Sequence, residues 1–262
     1  MAIAEINGIP IRYEDSGGDG PALLFSHGFL MDHTMFDAQV AHLAENYRCI
    51  RWDERGFGDT PAPGEFNYWD SAGDAVGVLD ACGVEQAVWI GMSQGGFLSL
   101  RGALASPQRV RGLVLIDSQA AADPPEAVEG YRAMLGGLTS DDDAVYGGTV
   151  EMVSGMILGD PDLAAEWIPR WAARRDIDLT MAAGALIDRD DIHDRLGEIS
   201  CPALIVHGTA DQAIPLEAAH AVAASLPDCR GVIEVEGAAH APNMTHPDIV
   251  NAALTEFLTG LA

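Results

Sequence analysis

The stretch from residue 87 to residue 96 constrains the fold of this chain more than any other, and it reads Ala-Val-Trp-Ile-Gly-Met-Ser-Gln-Gly-Gly. Apolar residues lead into Gly91-Met92-Ser93-Gln94-Gly95, and residues 96–100 continue with helical spacing. A serine on a sharp turn between a buried strand and a helix adopts a strained backbone that exposes its hydroxyl. Side chains two positions away on either side would collide, and glycine avoids this at both. The pattern predicts a nucleophilic serine at position 93, although ordinary strand-to-helix turns in a glycine-rich chain also match it.

Strand-like and helical segments alternate before and after this turn. Apolar residues that alternate on both sides of Asn7-Gly8 predict a β-hairpin. The other predicted strands are 22–26, 47–53, 87–91, 112–117, 203–207 and 232–235, and the clearest predicted helices are 69–82, 216–226 and 247–258. Strands that alternate with helices form a mostly parallel sheet that helices cover on both faces. We therefore expect an α/β fold.

The segment from residue 120 to residue 198 has a different sequence pattern. It contains no convincing strand, and its helical stretches are interrupted by proline and glycine. A helical block between two strand-helix units indicates a lid over the carboxyl ends of the strands. This divides the chain into a first core part at 1–119, a lid at 120–198 and a second core part at 199–262. Large apolar residues of the lid are candidates for lining a substrate pocket, namely Met134, Met152, Met156, Trp167 and Trp171. His27, after the strand at 22–26, is a further candidate for the pocket or for a brace of its own loop.

The charge of the chain is strongly acidic, with 40 Asp and Glu residues against 14 basic residues and a formal net charge of −26. Every basic residue is an arginine, so a Schiff-base lysine, a phosphate-loop lysine and a Ser-Lys dyad are excluded. An acidic surface repels nucleic acids and anionic membranes, and we expect neither as a partner. No apolar run reaches the roughly 20 residues of a membrane helix, and the first residues do not have the pattern of a signal peptide. We expect a cytoplasmic protein.

Sequence motifs for metals and cofactors are missing. The four cysteines, Cys49, Cys82, Cys201 and Cys229, form no Cys-x-x-Cys pair, which argues against a zinc or redox site. The glycines after residue 90 do not form Gly-x-Gly-x-x-Gly, so no dinucleotide is indicated. The acidic run 141–143 lacks an EF-hand pattern and is typical of a helix cap. We expect neither a metal nor a cofactor.

Residues that can carry chemistry follow several of the predicted strands. Besides Ser93 these are Asp53, Asp117, Asp211 and His240. In a parallel sheet, residues at such positions lie together just beyond the carboxyl ends of the strands. A nucleophilic serine needs a base, and the base needs a carboxylate that orients it. His240 is the predicted base, and Asp211 is the predicted acid with Asp117 as the alternative, in a chain order that suits this architecture.

Five short motifs occur in a fixed order along the chain. They are His27-Gly28, Asp53-x-Arg55-Gly56-x-Gly58, Gly91-x-Ser93-x-Gly95, Gly208-x-x-Asp211 and Gly237-x-x-His240-x-Pro242. With them the chain resembles the α/β-hydrolase superfamily, and within it the small cofactor-free esterases, lactonases and haloperoxidase-like enzymes. The resemblance covers nearly the whole chain outside the lid. It implies an eight-stranded, mostly parallel sheet flanked by helices, with a helical lid inserted after strand 6.

The resemblance also implies a role for each site residue. Ser93 would be the nucleophile, His240 the general base and then the general acid, and Asp211 the residue that orients His240. The oxyanion hole would consist of the main-chain N–H groups of Phe29 and Gln94. Some relatives place the acid where this chain has Asp117, so that alternative stays open.

Other polar residues are predicted to be structural. We expect Asp53 and Arg55 to pair and to hold their glycine-rich loop. His207 ends a strand, and we expect it to pack or to hydrogen-bond locally. The remaining histidines are typical of surface or helix positions, namely residues 33, 42, 193, 220 and 246.

The predicted activity is hydrolysis of a small-molecule carboxylic ester or lactone through an acyl-enzyme on Ser93. A serine nucleophile excludes haloalkane dehalogenases and epoxide hydrolases, which form an alkyl ester on a carboxylate. Two alternatives use the same residues, a carbon–carbon bond hydrolase acting on diketones and a haloperoxidase- or perhydrolase-like enzyme. A small-molecule receptor with this fold is an alternative of another class, and a homo-oligomer stays open. Arg170, Arg174 and Arg175 either bring a cation to the pocket, as an enol-lactonase-like enzyme requires, or form a solvated face.

Overall fold

Eight strands form a single sheet in the computed structural model, which describes residues 2–175 and 177–261 of the chain. The strands are β1 (Ala2–Ile6), β2 (Ile9–Asp15), β3 (Ala22–Ser26), β4 (Arg48–Trp52), β5 (Ala87–Met92), β6 (Val110–Ile116), β7 (Ala203–Gly208) and β8 (Cys229–Val235). Their order across the sheet is β1-β2-β4-β3-β5-β6-β7-β8. β2 is antiparallel to β1 and β4, and the other neighbours are parallel. The predicted eight-stranded, mostly parallel sheet is confirmed.

The described residues also form ten α-helices and three short 3-10 helices. The α-helices are α1 (Asp37–Leu43), α2 (Tyr68–Ala81), α3 (Gln94–Ala105), α4 (Pro125–Leu138), α5 (Asp143–Ile157), α6 (Pro161–Ala172), α7 (Thr180–Ile187), α8 (Leu216–Ser225), α9 (Pro242–Thr245) and α10 (Pro247–Thr259). The 3-10 helices are His33–Phe36, Pro107–Arg109 and His193–Glu198. α3 packs against β5 and β6, α8 against β7 and β8, and α10 against β8 and α1. No helix in the described parts of the chain combines the length and the apolar character that crossing a bilayer requires.

The turn between β1 and β2 is made by Asn7 and Gly8, whose φ angles are 52° and 77°. Positive φ at both central positions defines a type I′ turn, and Asn-Gly meets that requirement well. β1 and β2 then pair antiparallel from Ile6 opposite Ile9 onward. The predicted hairpin is confirmed.

The central strand β5 is buried along its whole length because it pairs with a parallel strand on each side. The register aligns Ser26 with Gly91, Met92 with Ile116, and Ile116 with Val206. The carboxyl ends of β3, β5, β6 and β7 therefore lie at one edge of the sheet. Residues that follow these strands meet there, and this edge carries the candidate site.

The segment between β6 and β7 contains the helices α4 to α7 and no strand among its described residues. We call residues 125–187 the helical insert. Two of its helices begin at side chains that cap them. Asp142 accepts hydrogen bonds from the N–H groups of residues 144 and 145, and Asp160 accepts them from residues 162 and 163. The predicted helix cap in the run 141–143 is thus confirmed for Asp142.

The clearest difference from the predicted elements lies in β8, which begins at Cys229 and not at residue 232. Arg230 and Gly231 lack the apolar character that marks a strand in the sequence. They lie within the strand at an irregularity in register, because Cys229 pairs with Ala203 and Val232 pairs with Ile205.

Candidate active site

Ser93 occupies the sharp turn between β5 and α3, with φ of 51° and ψ of −116°. This conformation is strained for a residue other than glycine. A side chain at Gly91 would press against the carbonyl oxygen of Gly95, and one at Gly95 would press against the carbonyl oxygen of Ser26. The two glycines are therefore required by close backbone approaches, as the sequence pattern predicts.

A continuous hydrogen-bond chain links Ser93, His240 and Asp211. Ser93 Oγ lies 3.0 Å from His240 Nε2, and His240 Nδ1 lies 2.7 Å from Asp211 Oδ2. Burial by itself would raise the pKa of Asp211, but the facing His240 and hydrogen bonds from Asp117 and from the Ala213 N–H bring that pKa below its usual value. Asp211 is therefore a carboxylate, which holds the imidazole with Nδ1 protonated and Nε2 free to accept from Ser93.

Asp117, the alternative acid, has a different set of partners. Its Oδ1 accepts a hydrogen bond from the Gly208 N–H at 2.9 Å, and its backbone φ is 45°. Burial and then the neighbouring charge of Asp211 raise the pKa of Asp117 well above its usual value. Burial and the charge of Asp211 thus favour the protonated form of Asp117. It is Asp211, and not Asp117, that lies within hydrogen-bond distance of His240.

Two main-chain N–H groups lie where the sequence places an oxyanion hole. Gln94 is the first residue of α3, and Phe29 belongs to the loop that follows β3. In residues 2–175 and 177–261, neither N–H donates a hydrogen bond to a main-chain carbonyl of a turn or loop. The Gly28 N–H donates to the sulfur of Met35 at 3.3 Å, and this helps to fix the loop of Phe29.

Ser93 and His240 open into a mainly apolar pocket of about 480 Å³, including its mouth. Its other walls are Gly28, Phe29, Met31, Met92, Phe97, Tyr131, Met134, Met156, Ile157, Leu186 and Ala213. Met134 and Met156 thus line the pocket, as the sequence predicts. Met152 does not, because its side chain points to solvent with 56% exposure. His27 does not line the pocket either, because it is fully buried and braces the loop of Phe29.

Trp167 and Trp171 line a neighbouring cavity of about 630 Å³, including its mouth, and Met31 borders both spaces. Arg170, Arg174 and Arg175 line this neighbouring cavity as well. Each guanidinium has an acidic partner, at 3.7 Å from Asp32, 3.0 Å from Asp59 and 2.6 Å from Asp143 respectively. These arginines therefore line the neighbouring cavity and not the pocket of Ser93, and each of them is paired with an acid.

The predicted pair of Asp53 and Arg55 needs correction. Asp53 and Arg55 do not pair, because their side chains leave the loop toward different neighbours. Asp53 binds His33 Nδ1 at 2.6 Å and lies 3.7 Å from Arg12, whereas Arg55 pairs with Asp74 on α2. His33 opens the 3-10 helix His33–Phe36, one of the two kinds of position predicted for it, and it is buried. Burial would raise the pKa of Asp53, but hydrogen bonds from the ring and the main-chain N–H of His33 lower it to about 2.

Tyr131, on α4, is a pocket residue that the sequence analysis missed. Among the described residues of the helical insert that line the pocket, Tyr131 is the only one that carries a hydroxyl group. Burial, followed by the charge of Asp123, raises the pKa of Tyr131 to about 12, so this hydroxyl is neutral. No motif could have identified it, because side chains of the insert reach the pocket only through tertiary packing.

Comparison with known proteins agrees with this architecture. The family described as alpha/beta hydrolase fold matches residues 21–146. A protein of Synechocystis, provisionally named as a non-heme chloroperoxidase, is 30% identical over 270 residues, with 95% of each chain covered. A pimeloyl-[acyl-carrier protein] methyl ester esterase of Xanthomonas campestris is 29% identical, covering 93% of this chain and 97% of the relative. A thermophilic esterase from Thermogutta terrifontis, of known structure, superposes with a TM-score of 0.81 at 29% identity, covering 97% of this chain and 94% of that one.

This chain belongs to the α/β-hydrolase family, as its motifs predict. Within that family it is an enzyme of the carboxylic ester hydrolase class, to which the two named esterases also belong.

Proposed function

We propose that this protein hydrolyses a small carboxylic ester or lactone through an acyl-enzyme on Ser93. The observation that carries the proposal is the hydrogen-bond chain from Ser93 Oγ through His240 to Asp211, with steps of 3.0 and 2.7 Å. A hydroxyl becomes a nucleophile when an adjacent base takes its proton. The base keeps the correct tautomer when a carboxylate holds its other nitrogen. Both conditions are met at the floor of a mainly apolar pocket.

In the first half of the reaction, Ser93 Oγ attacks the carbonyl carbon and His240 Nε2 takes its proton. The negative oxygen of the tetrahedral intermediate accepts hydrogen bonds from the N–H groups of Phe29 and Gln94. Each such donor lowers the barrier by roughly 3 kcal/mol. The bond to the alkoxy oxygen then breaks, and His240 returns the proton to that oxygen. An ester releases its alcohol, whereas a lactone keeps the new hydroxyl on the acyl chain.

In the second half, water attacks the acyl-enzyme and gives its proton to His240. The tetrahedral intermediate again forms in the oxyanion hole, and its collapse breaks the bond to Ser93 Oγ. His240 returns the proton to Ser93, and a carboxylic acid leaves. Asp211 stays ionised throughout and stabilises the imidazolium in both halves.

The pocket and the charge of the chain narrow the substrate class. The apolar walls fit the hydrocarbon part of a short or medium acyl group. The net charge of −26 would repel an acidic carrier protein, so a free ester is favoured over one attached to such a carrier. The helical insert supplies Tyr131, Met134 and Met156 to the pocket and acts in this proposal as the lid.

Four methionines favour hydrolysis over peracid formation. Met31, Met92, Met134 and Met156 all line the pocket of Ser93. Peracids oxidise thioethers to sulfoxides, which converts apolar side chains into polar ones. An enzyme that formed peracids here would therefore damage the walls of its own pocket.

A fluorophosphonate probe followed by mass spectrometry tests the proposal. We expect the label on Ser93, no label in Ser93→Ala, and labelling at least about 100-fold slower in His240→Ala. His220→Ala is the matched control, because His220 is half-exposed, pairs with Glu234 and does not line the pocket of Ser93. It should label at the parental rate. A folded parent protein that does not label at Ser93 contradicts the proposal.

A substrate panel separates the remaining activities. p-Nitrophenyl esters from acetate to octanoate and simple lactones are offered beside a β-diketone, and acetate with peroxide is offered in a peracid assay. We expect turnover of esters or lactones. Turnover of the diketone alone would indicate a carbon–carbon bond hydrolase, and ligand-dependent thermal stabilisation without turnover would indicate a receptor.

A further inference from the structure

Glu54 is a buried residue whose carboxyl group hydrogen-bonds to Gln94 and whose main-chain N–H hydrogen-bonds to His27. Glu54 lies in the loop after β4 and is only 2% exposed. Its Oε2 accepts a hydrogen bond from Gln94 Nε2 at 2.8 Å. Its Oε1 is buried without a hydrogen-bond partner in the described parts of the chain. The mechanism above does not use this group, and a buried polar atom without a partner calls for an explanation.

The side chain of Glu54 holds the first donor residue, Gln94. The Gln94 amide is fixed at both ends, because Nε2 donates to Glu54 and Oε1 accepts from the Tyr68 hydroxyl at 3.3 Å. Gln94 opens α3, and its own N–H is one of the two proposed oxyanion donors. A side chain anchored on two sides restricts the backbone rotation of its residue. Glu54 thereby fixes the direction of that N–H.

The main chain of Glu54 holds the second donor, Phe29, through His27. The Glu54 N–H donates to His27 Nε2 at 2.9 Å, and His27 Nδ1 donates to the Gly28 carbonyl oxygen at 2.8 Å. His27 is therefore neutral, and burial also lowers its pKa. The Gly28 carbonyl and the Phe29 N–H belong to one trans peptide, so they point in opposite directions. A hydrogen bond that fixes the direction of the Gly28 carbonyl therefore also fixes the opposite direction of the Phe29 N–H.

The surroundings of Glu54 favour its neutral form. Burial raises the pKa of Glu54 well above its usual value, and Asp74 and Asp53 raise it further against the effect of the Gln94 hydrogen bond. An ionised carboxylate that is buried beside other acids is costly. A neutral carboxyl keeps the hydrogen bond to Gln94 without that cost.

We propose that Glu54 is a positioning residue that couples the two donors of the oxyanion hole. It acts as a neutral acid whose side chain holds Gln94 and whose main chain holds His27. This inference rests on the proposed function, because it requires Ser93 to be the nucleophile.

Two substitutions at position 54 test the inference. Glu54→Met removes the acceptor for Gln94 at similar volume, and Glu54→Gln keeps an uncharged acceptor. We measure the rate of fluorophosphonate labelling at Ser93, together with kcat and KM for a p-nitrophenyl ester. In Glu54→Met we expect labelling and kcat to fall about 10- to 100-fold, with KM within about threefold of the parent. In Glu54→Gln we expect both rates within about fivefold of the parent.

Val78→Ala on α2 is the control for destabilisation alone, because Val78 is fully buried and belongs to the hydrophobic core. It should label at the parental rate. A folded Glu54→Met that labels at the parental rate overturns the inference, and so does a Glu54→Gln that is as slow as Glu54→Met. If Glu54→Met does not fold, Gln94→Met removes the same hydrogen bond from the other side, and parental labelling there is equally decisive against it. If the parent protein is not labelled at Ser93, the proposed function is contradicted. If the parent is labelled and the Glu54 variants are labelled equally fast, only the role of Glu54 is contradicted.

Discussion

At the scale of single residues, the site depends on how two neighbouring aspartates divide one charge. Asp117 and Asp211 are both buried, and two close carboxyl groups in such a place do not ionise together at low cost. Asp211 keeps the charge because His240 and the N–H groups of Ala213 and Ile214 stabilise it. Asp117 keeps its proton because burial and the charge of Asp211 both raise its pKa.

Asp117→Asn should therefore be a mild substitution, because an amide reproduces the hydrogen bonds of a neutral acid. We expect kcat within about fivefold of the parent, whereas Asp211→Asn should lose about 10³- to 10⁴-fold. Ester hydrolysis by the two variants measures this. Equal losses in both would mean that Asp117 supplies the charge that His240 needs.

The same substitution should change how stability depends on pH. The raised pKa of Asp117 means that the folded state holds a proton that the unfolded state releases above a pKa of about 4. The contribution of Asp117 to stability therefore falls as the pH rises from there toward its folded pKa. Urea unfolding at pH 5 and pH 8 should show that the free energy of unfolding falls more between these pH values in the parent than in Asp117→Asn. Parallel losses would indicate that Asp117 is ionised in the folded protein.

At the scale of secondary-structure elements, the sequence predicts positions that backbone geometry requires. Ser93, Asp211 and His240 follow strands whose ends must meet, so their proximity could be inferred before the structure, although their catalytic roles stay predictions. The pocket walls could not be inferred in the same way. Met152 and Met156 both lie on α5, yet one points to solvent and the other to the pocket. The two residues are four apart and lie on the same side of the helix, so periodicity does not distinguish them, and only the packing of the neighbouring elements decides which one reaches the pocket.

The inserted helix α4 should control which acyl groups are preferred. Tyr131 lines the pocket, and burial and nearby charges, not a hydrogen bond, account for its raised pKa. A substrate with a hydroxyl or oxo group on its acyl chain can supply the missing bond. We expect Tyr131→Phe to lower the preference for such esters over plain acyl esters about 10-fold, in line with roughly 1 to 1.5 kcal/mol for one hydrogen bond. The ratio of kcat/KM values measures this.

Tyr146→Phe is the matched control for that measurement, because Tyr146 lies on the same insert but lines the neighbouring cavity. It should leave the ratio unchanged. A preference that does not respond to Tyr131→Phe would remove this residue from the determinants of specificity.

The start of α5 allows a test of stability within one run of acidic residues. Asp142 caps this helix through its side chain, whereas Asp141 makes no such cap. Asp142→Ala should lower the free energy of unfolding by about 1 kcal/mol. Asp141→Ala should change it by less than about 0.5 kcal/mol. Chemical denaturation of both variants measures the difference, and equal effects would contradict the assignment of the cap.

At the scale of the whole molecule, the excess of acidic residues opposes compactness. A net charge of −26 repels itself in the folded state more than in the expanded unfolded chain. Salt screens this repulsion, with a Debye length of about 10 Å at 0.1 M. We expect the Tm to rise by several degrees between 10 mM and 500 mM sodium chloride. A Tm that falls over this range would mean that the arginine–carboxylate pairs, and not the net repulsion, dominate the electrostatics.

The insertion between β6 and β7 also has a consequence for the order of assembly. Ser93 and the loop of Phe29 lie before the helical insert, whereas Asp211 and His240 lie after it. During synthesis the proposed nucleophile therefore leaves the ribosome long before its proposed base. Under the proposed mechanism, a half-made chain carries Ser93 without a base and does not react with esters. Reactivity is then expected only after β7 pairs with β6 and the loops of Asp211 and His240 are in place, so that activity would report the completion of folding.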